Sequence, residues 1–254
     1  MARSLAEVLH YFIPEDEMPP LERGTGRRLP VCAVPLGERD VVRAAHVWNL
    51  GVEIARLGGQ VVLVAPETGN GALWPMPGRG PVGMELVLAR VDGPATLLGE
   101  ARRLAAKRAN GPPEGGLLLV RLPPDWIERM PDRAAFFERA LLLATADERD
   151  LAAATRLATR LLRAAPDLTL GATIHGVRRV GEAARAFARL AGEIECRHGR
   201  TLRSYGLLVD DLHLYRSIVS RRPVGISHPH SPAARTLREV AELLLEDARE
   251  PALD

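Results

Sequence analysis

The sequence predicts a doubly wound α/β domain, with a mostly parallel sheet and helices on both faces. Two observations carry this. Short apolar runs of strand length alternate with amphipathic stretches of helix length over 29–247, the pattern of a parallel sheet covered on both sides. The chain has 254 residues and 46% apolar content, enough to bury one full core. It holds neither internal repeats nor a low-complexity tract.

Residues 1–28 stand apart. Ser4 is placed to cap a helix whose apolar residues Leu5, Val8, Leu9 and Phe12 fall on one stripe, and Pro14 ends it. The polar, proline-bearing run EDEMPPLERGTGRR that follows reads as extended. The stripe either packs back on its own domain or enters a groove on a partner, and partner binding is the expectation. A domain over 29–247 comes next, and 248–254 reads as a tail.

The domain opens with strand 31–35, helix 39–57 and strand 60–65. A loop rich in Gly and Pro spans 67–83, and 84–91 reads as a strand. Helix 95–109, strand 116–121, a short helix 132–139 and a central strand 140–145 follow. The stretch 147–163 has a clean helical period in Leu151, Ala154, Leu157, Leu161 and Leu162. Strand 168–175, helix 180–190, strand 203–209, helix 211–220 and helix 231–247 complete the alternation.

Residues 31–64 form the strand–loop–helix–strand unit in which backbone N–H groups at a helix start hold phosphate. The motif that belongs in its loop, G-x-x-x-x-G-K-[ST], is missing. The lone lysine of the chain, Lys107, lies in a different predicted helix.

Trp48-Asn49-Leu50-Gly51, Pro123-Pro124, Arg222-Pro223-Val224 and Ser231-Pro232-Ala233-Ala234 fall in an order and spacing that resembles the MinD/ParA family of deviant-Walker ATPases, most of all its FlhG-type regulators of flagella. The resemblance covers about residues 28–247. Trp48-Asn49-Leu50-Gly51 is similar to the family's A-N-L-G. Counting back, Glu38 falls on the signature lysine, Arg39, Asp40 and Val42 on the loop glycines, Arg43 on the phosphate-binding lysine, and Ala44 and Ala45 on the threonines. Ala65-Pro66-Glu67 replaces D-A-D, and Arg121-Leu122-Pro123-Pro124-Asp125 replaces the switch segment D-T-P-P-G. Ile174-His175-Gly176 is similar to a strand end I-N-R whose asparagine contacts the base. Arg221-Arg222-Pro223-Val224 and Ser231-Pro232-Ala233-Ala234 are similar to the closing R-P-V and S-P-A-A.

The losses carry chemical meaning of their own. A phosphate cradle needs positive φ and close backbone approach, which glycine supplies and Val42 does not. Glu38 and Asp40 bring negative charge toward a polyanion. Magnesium needs a hydroxyl and a carboxylate, and Ala44 and Arg121 supply neither. Arg43 either pairs with a phosphate bidentately or caps the first helical turn at the surface. The expectation is therefore no cofactor, no catalytic residue and no ATPase activity. Family dimers are closed by ATP through the signature lysine, so Glu38 implies that any dimer here is independent of nucleotide.

Other features are weaker. The formal net charge is +2, and the arginines alternate with acids as in ERDVVR, which argues against a nucleic-acid surface. Cys32 and Cys196 have neither metal nor redox spacing, and Cys32 reads as a buried free thiol. His228-Pro229-His230 offers two imidazoles but no third ligand nearby, so a structural loop is favoured over a metal site. Asp210 or Asp211 is expected to cap a helix, and His46 or Trp48 to pack inside. Trp74 and Trp126 sit in loops beside the expected nucleotide face, marking an interface or filling vacated space. No secretory h-region opens the chain, no apolar run approaches ~20 residues, and the acidic C-terminus does not resemble a membrane-anchoring helix. A cytoplasmic location is expected.

The functional expectation is a non-catalytic scaffold or adaptor in the spatial organisation of a bacterial machine, such as a flagellum, pilus or division apparatus, acting on protein partners. The alternatives are a non-hydrolysing nucleotide binder using Arg43 and a diverged enzyme.

Overall fold

The computed structural model describes residues 28–67, 78–108, 115–130 and 137–249. Strand β1 (Val31–Pro35) lies inside an eight-stranded sheet of order β3-β4-β2-β5-β1-β6-β7-β8. The other strands are β2 (Gln60–Pro66), β3 (Gly78–Arg79), β4 (Glu85–Ala89), β5 (Gly116–Leu122), β6 (Arg139–Ala144), β7 (Thr169–Val177) and β8 (Arg203–Val209). Every neighbouring pair is parallel except β3 with β4. The chain winds outward from β1 through β2 on one side and through β6, β7 and β8 on the other. The crevice at the C-terminal ends of β1, β5 and β6 is therefore the topological switch point.

Alternation along β1 sends Val31 and Ala33 into one core and Cys32 and Val34 into the other. The first core is closed by α2 (Pro94–Ala106), α3 (Pro124–Glu128), α4 (Glu148–Ala164) and α5 (Val180–His198). The second is closed by α1 (Val41–Arg56), α6 (Leu212–Ser220), α7 (Val224–Ser227) and α8 (Pro232–Arg249). Burial pushes the Cys32 thiol up to about 12, so it packs as a small hydrophobe.

The short segments that carry the family resemblance serve this packing. Asn49 accepts from the Val224 N–H at 2.8 Å and donates to the Ala45 carbonyl, joining α1 to the Pro223-Val224 turn. Gly51 lets Met84 lie against α1, because a Cβ there would meet the methionine Cε at 2.8 Å. Ser231 caps α8 by accepting from Ala234 N–H. Asp211 accepts from His213 N–H at the start of α6 and from Ala233 N–H at the start of α8, both at 2.9 Å. Of the two expected capping residues, Asp211 takes the role. His46 and Trp48 are both interior.

Several boundaries differ from the sequence reading. The 67–83 loop contains β3 and a 3-10 turn at Pro81–Gly83, and its residues 68–77 lie outside the described residues. Of the helix expected over 132–139, residues 132–136 lie outside the described residues, Phe137 and Glu138 are irregular, and Arg139 opens β6. α5 runs to His198 rather than 190, because Leu190 and Ile194 continue its buried stripe until Gly199 turns left-handed at φ 61°. α8 extends to Arg249, with Ala248 buried, two residues into the expected tail. α3 holds Trp126, which the sequence places in a loop, and α7 falls where the sequence assigns no element. Among the described residues no helix is long and apolar enough to cross a membrane.

Candidate functional site

The site is built around the start of α1. The turn from Gly37 to Asp40 closes with Asp40 N–H to the Gly37 carbonyl, and neither Gly37 nor Glu38, Arg39 or Asp40 has positive φ. Asp40 is the N-cap of α1, and its carboxylate accepts from Arg43 N–H at 3.0 Å. The helix N-terminus, with its orphan donors and positive dipole end, thus carries the chain's own anion. Ala44, next along, is fully buried.

The Arg43 side chain is held from two sides. Its Nη1 donates to Asp40 at 2.7 Å, and its Nη2 donates to both oxygens of Asp150 at 2.6 Å. Asp150 lies in the first turn of α4 and also accepts from the Thr145 N–H and hydroxyl. Burial opposes the Arg43 charge, but Asp150 and Asp40 outweigh it and raise its pKa. Burial likewise opposes the Asp150 charge, and the Thr145 N–H together with Arg43 holds its carboxyl below the usual range. Arg43 is thus an ion-paired clamp across the switch point, an arrangement that is neither of the two readings of it.

Arg121 lies at the end of β5, opposite Val34 of β1, and is 1% exposed. Its Nε donates to the Leu36 carbonyl at 3.2 Å, while its buried Nη2 has no hydrogen-bond partner. Burial pulls its pKa down, with Glu38 and Asp125 opposing. Glu38 itself is exposed. Ala65 is buried in β2 and paired in register with Leu88, and Glu67 beyond it pairs with Arg90.

His175 in β7 is 6% exposed and faces His46 of α1, with ring centroids 5.2 Å apart. Burial pushes the His46 imidazole down to about 3, helped by His175 and Arg43. Burial pushes His175 down to about 4, helped by Arg43 and opposed by Asp150 and Asp40. The pair stays neutral at physiological pH. His46 Nδ1 and His175 Nε2 have no hydrogen-bond partner.

A cavity of about 300 Å³ opens beside the clamp, between the β1–α1 turn, α3 and α4, lined among others by Gly37, Arg43, Pro124, Asp150 and Leu157. Trp126 projects from α3, half-buried against the first core. Trp74, Leu5, Val8, Leu9 and Phe12 lie outside the described residues. His213 and His228 stack at 4.3 Å beside Asp211, away from this crevice. Among the described residues no group of three or more His, Cys, Asp or Glu is placed to hold a metal ion.

Sequence reasoning brought Arg43, Arg121 and His175 to this crevice and missed Asp150 and the approach of His46 to His175. The one available signal for Asp150 was its place in the first turn of the helix after β6, the strand beside β1.

The order of the strands and the loop at the switch point define the class: a P-loop NTPase-type α/β fold. Within it the fold is of MinD/ParA type. MinD from the MinC:MinD cell division protein complex of Aquifex aeolicus superimposes with a TM-score of 0.62 at 14% identity, over 85% of this chain and 96% of that one. The septum site-determining protein MinD of Pyrococcus horikoshii, complexed with Mg-ADP, gives 0.61 at 12% identity, over 87% and 97%. A ParA family ATPase from Chlorobium tepidum gives 0.53 at 12% identity, over 86% and 99%. No family model matches the chain, and no curated protein matches it in sequence.

Proposed function

We propose that this chain is a non-catalytic scaffold or adaptor of MinD/ParA fold, acting by protein–protein contacts in the spatial organisation of a bacterial machine in the cytoplasm. The observation that carries the reading is the engagement of Arg43, at the lysine position, by Asp40 and Asp150. The residues do not fit a magnesium nucleotide. Asp40 takes the helix N-terminus where phosphate binds in this fold class, Ala44 offers no hydroxyl, and buried Arg121 stands where an acid would hold the metal.

A fold retained without its nucleotide chemistry keeps its surfaces. The Aquifex relative by fold is seen in complex with MinC, and a protein partner is the corresponding role here. The surface favoured for it is the loop-end face, where Pro124 and Glu128 of α3 line the cavity and Trp126 of the same helix is half-buried against the first core. Any dimer forms without nucleotide, because exposed Glu38 would repel the phosphates of a facing subunit.

Isothermal titration with ATP and magnesium, paired with a phosphate-release assay, tests the reading. Binding weaker than about 1 mM, or ~4 kcal/mol, with no turnover is expected. Saturable binding without turnover would replace it with a non-hydrolysing nucleotide switch, and turnover would make the chain an enzyme.

A further inference from the structure

Three large apolar side chains on one face of α6 point to solvent: Leu212 is 60% exposed, Tyr215 43% and Val219 87%. Their spacing of three and four residues puts them in one row, with Arg216 between them. Leu214 and Ser217 form the opposite, buried face. Scattered surface hydrophobes are ordinary, but a row of three on a nine-residue helix is a face made to be covered. An ion-pair chain brings a second segment beside it. Arg178 donates to Asp210 at 3.1 Å and Tyr215 Oη donates to the same carboxylate, so the β7–α5 turn borders Tyr215. α5 opens from that turn with Val180, 72% exposed. Around the row Arg179, Arg216, Arg221 and Arg222 are exposed and make no ion pair among the described residues. The face is apolar along its centre and cationic at its rim.

The chain itself contains a segment of complementary character. Residues 1–17 carry the stripe Leu5, Val8, Leu9 and Phe12, followed by Glu15-Asp16-Glu17, with one arginine against four acids. Residues 18–27 then lead to Arg28, three residues before β1. Fully extended, those ten residues reach about 33 Å. From β1 to β8 is three strand spacings, about 14 Å, and the sheet is about 23 Å tall at β8, so α6 lies within reach.

We propose that residues 5–17 dock in cis on α6, with Leu5, Val8, Leu9 and Phe12 covering Leu212, Tyr215 and Val219, and with Glu15-Asp16-Glu17 meeting the arginine rim. The docked stripe is then unavailable to a partner. The adaptor reading rests on the loop-end face and stands or falls separately.

Full-length chain carrying Phe12→Cys, Val219→Cys and Cys196→Ser tests this under mild oxidation with copper phenanthroline. Most of the protein should run as a monomer whose peptide map shows a disulfide between positions 12 and 219. A disulfide joining position 219 of two chains would assign the face to a second copy and overturn the proposal, as would the absence of any cross-link. A second measurement does not depend on those cysteines. Leu9→Asp and Val219→Asp should each speed tryptic cleavage after Arg23, Arg27 and Arg28 about tenfold, with high salt doing the same to the wild type. Unchanged cleavage in both variants would overturn the proposal. So would co-sedimentation of the wild type with anionic phospholipid vesicles that Val219→Asp abolishes and Leu9→Asp leaves intact.

Discussion

Arg43 donates from a single nitrogen to both carboxylate oxygens of Asp150, at 2.6 Å each, across the crevice where β1 and β6 diverge. The two residues lie 107 positions apart, so the contact ties the two halves of the winding together. Asp150→Ala leaves a partly buried guanidinium with one partner instead of two and strips the Thr145 N–H of its acceptor. A loss of about 1–3 kcal/mol is expected in urea denaturation. In a double-mutant cycle with Arg43→Ala the two should couple by about 0.5–3 kcal/mol, and strict additivity would show that the pair does not act as a unit.

Arg43→Lys restores the residue type of a phosphate-binding loop and should not restore binding. Asp40 still caps α1, Asp150 still stands beside the new ammonium, and Arg121 still fills the end of β5. Titration of this variant with ATP and magnesium is expected to give no saturable heat. An affinity tighter than ~100 μM would mean that the side chain at 43 alone had closed the site.

The His46–His175 pair predicts a specific acid sensitivity. Both imidazoles have folded-state pKa values, about 3 and about 4, below the ordinary value of 6.5. The unfolded chain therefore takes up protons first as pH falls, and stability present above pH 6.5 is lost from there down to about pH 4 for His175 and about pH 3 for His46. With both groups charged only in the unfolded state, the slope near pH 5 approaches about 2.7 kcal/mol per pH unit. His175→Asn should roughly halve it. A melting temperature flat from pH 7 to 5 would contradict the burial of the pair.

The framework was far more legible than the site. β1 and β8 fall where their apolar runs end, and Asp211 caps as a residue of its type at that place should. These depend on neighbours in sequence. The end of α5 was missed because Gly192 and the polar residues after Leu190 mask a buried stripe that continues only at Ile194. α3 and α7 are single turns that begin beside prolines, where sequence favours a loop and packing decides otherwise. Arg43 and Arg121 could be named from spacing, but their partners could not. Asp150, Leu36 and His46 meet them or His175 only because the sheet order puts β1 between β5 and β6. Asn49 and Gly51 illustrate the converse. Their resemblance to a nucleotide-binding family survives because their work here is packing, against Val224 and Met84, and that work remains whatever happens to the phosphate loop.

At the opposite end of the sheet from the crevice, Asp247 holds α8 to β6 and β8. Its Oδ2 accepts from Tyr205 Oη at 2.7 Å and pairs with Arg139 Nε at 3.3 Å, and its Oδ1 pairs with Arg203. Arg139 also donates to the Asp247 carbonyl at 2.5 Å. The Arg139 and Asp247 side chains are 6% and 5% exposed, so removing the acid takes a carboxylate away from a buried cation. Asp247→Ala should therefore cost about 3–5 kcal/mol, more than the loss at the less buried Arg43–Asp150 clamp. Asp247→Asn keeps an acceptor for Tyr205 but not the charge, and should fall between. Truncation after residue 246 should resemble Asp247→Ala in equilibrium unfolding by urea. If truncation and Asp247→Ala both leave the midpoint unchanged, α8 is not held by this carboxylate, and the packing of Leu244 and Leu245 alone must secure it.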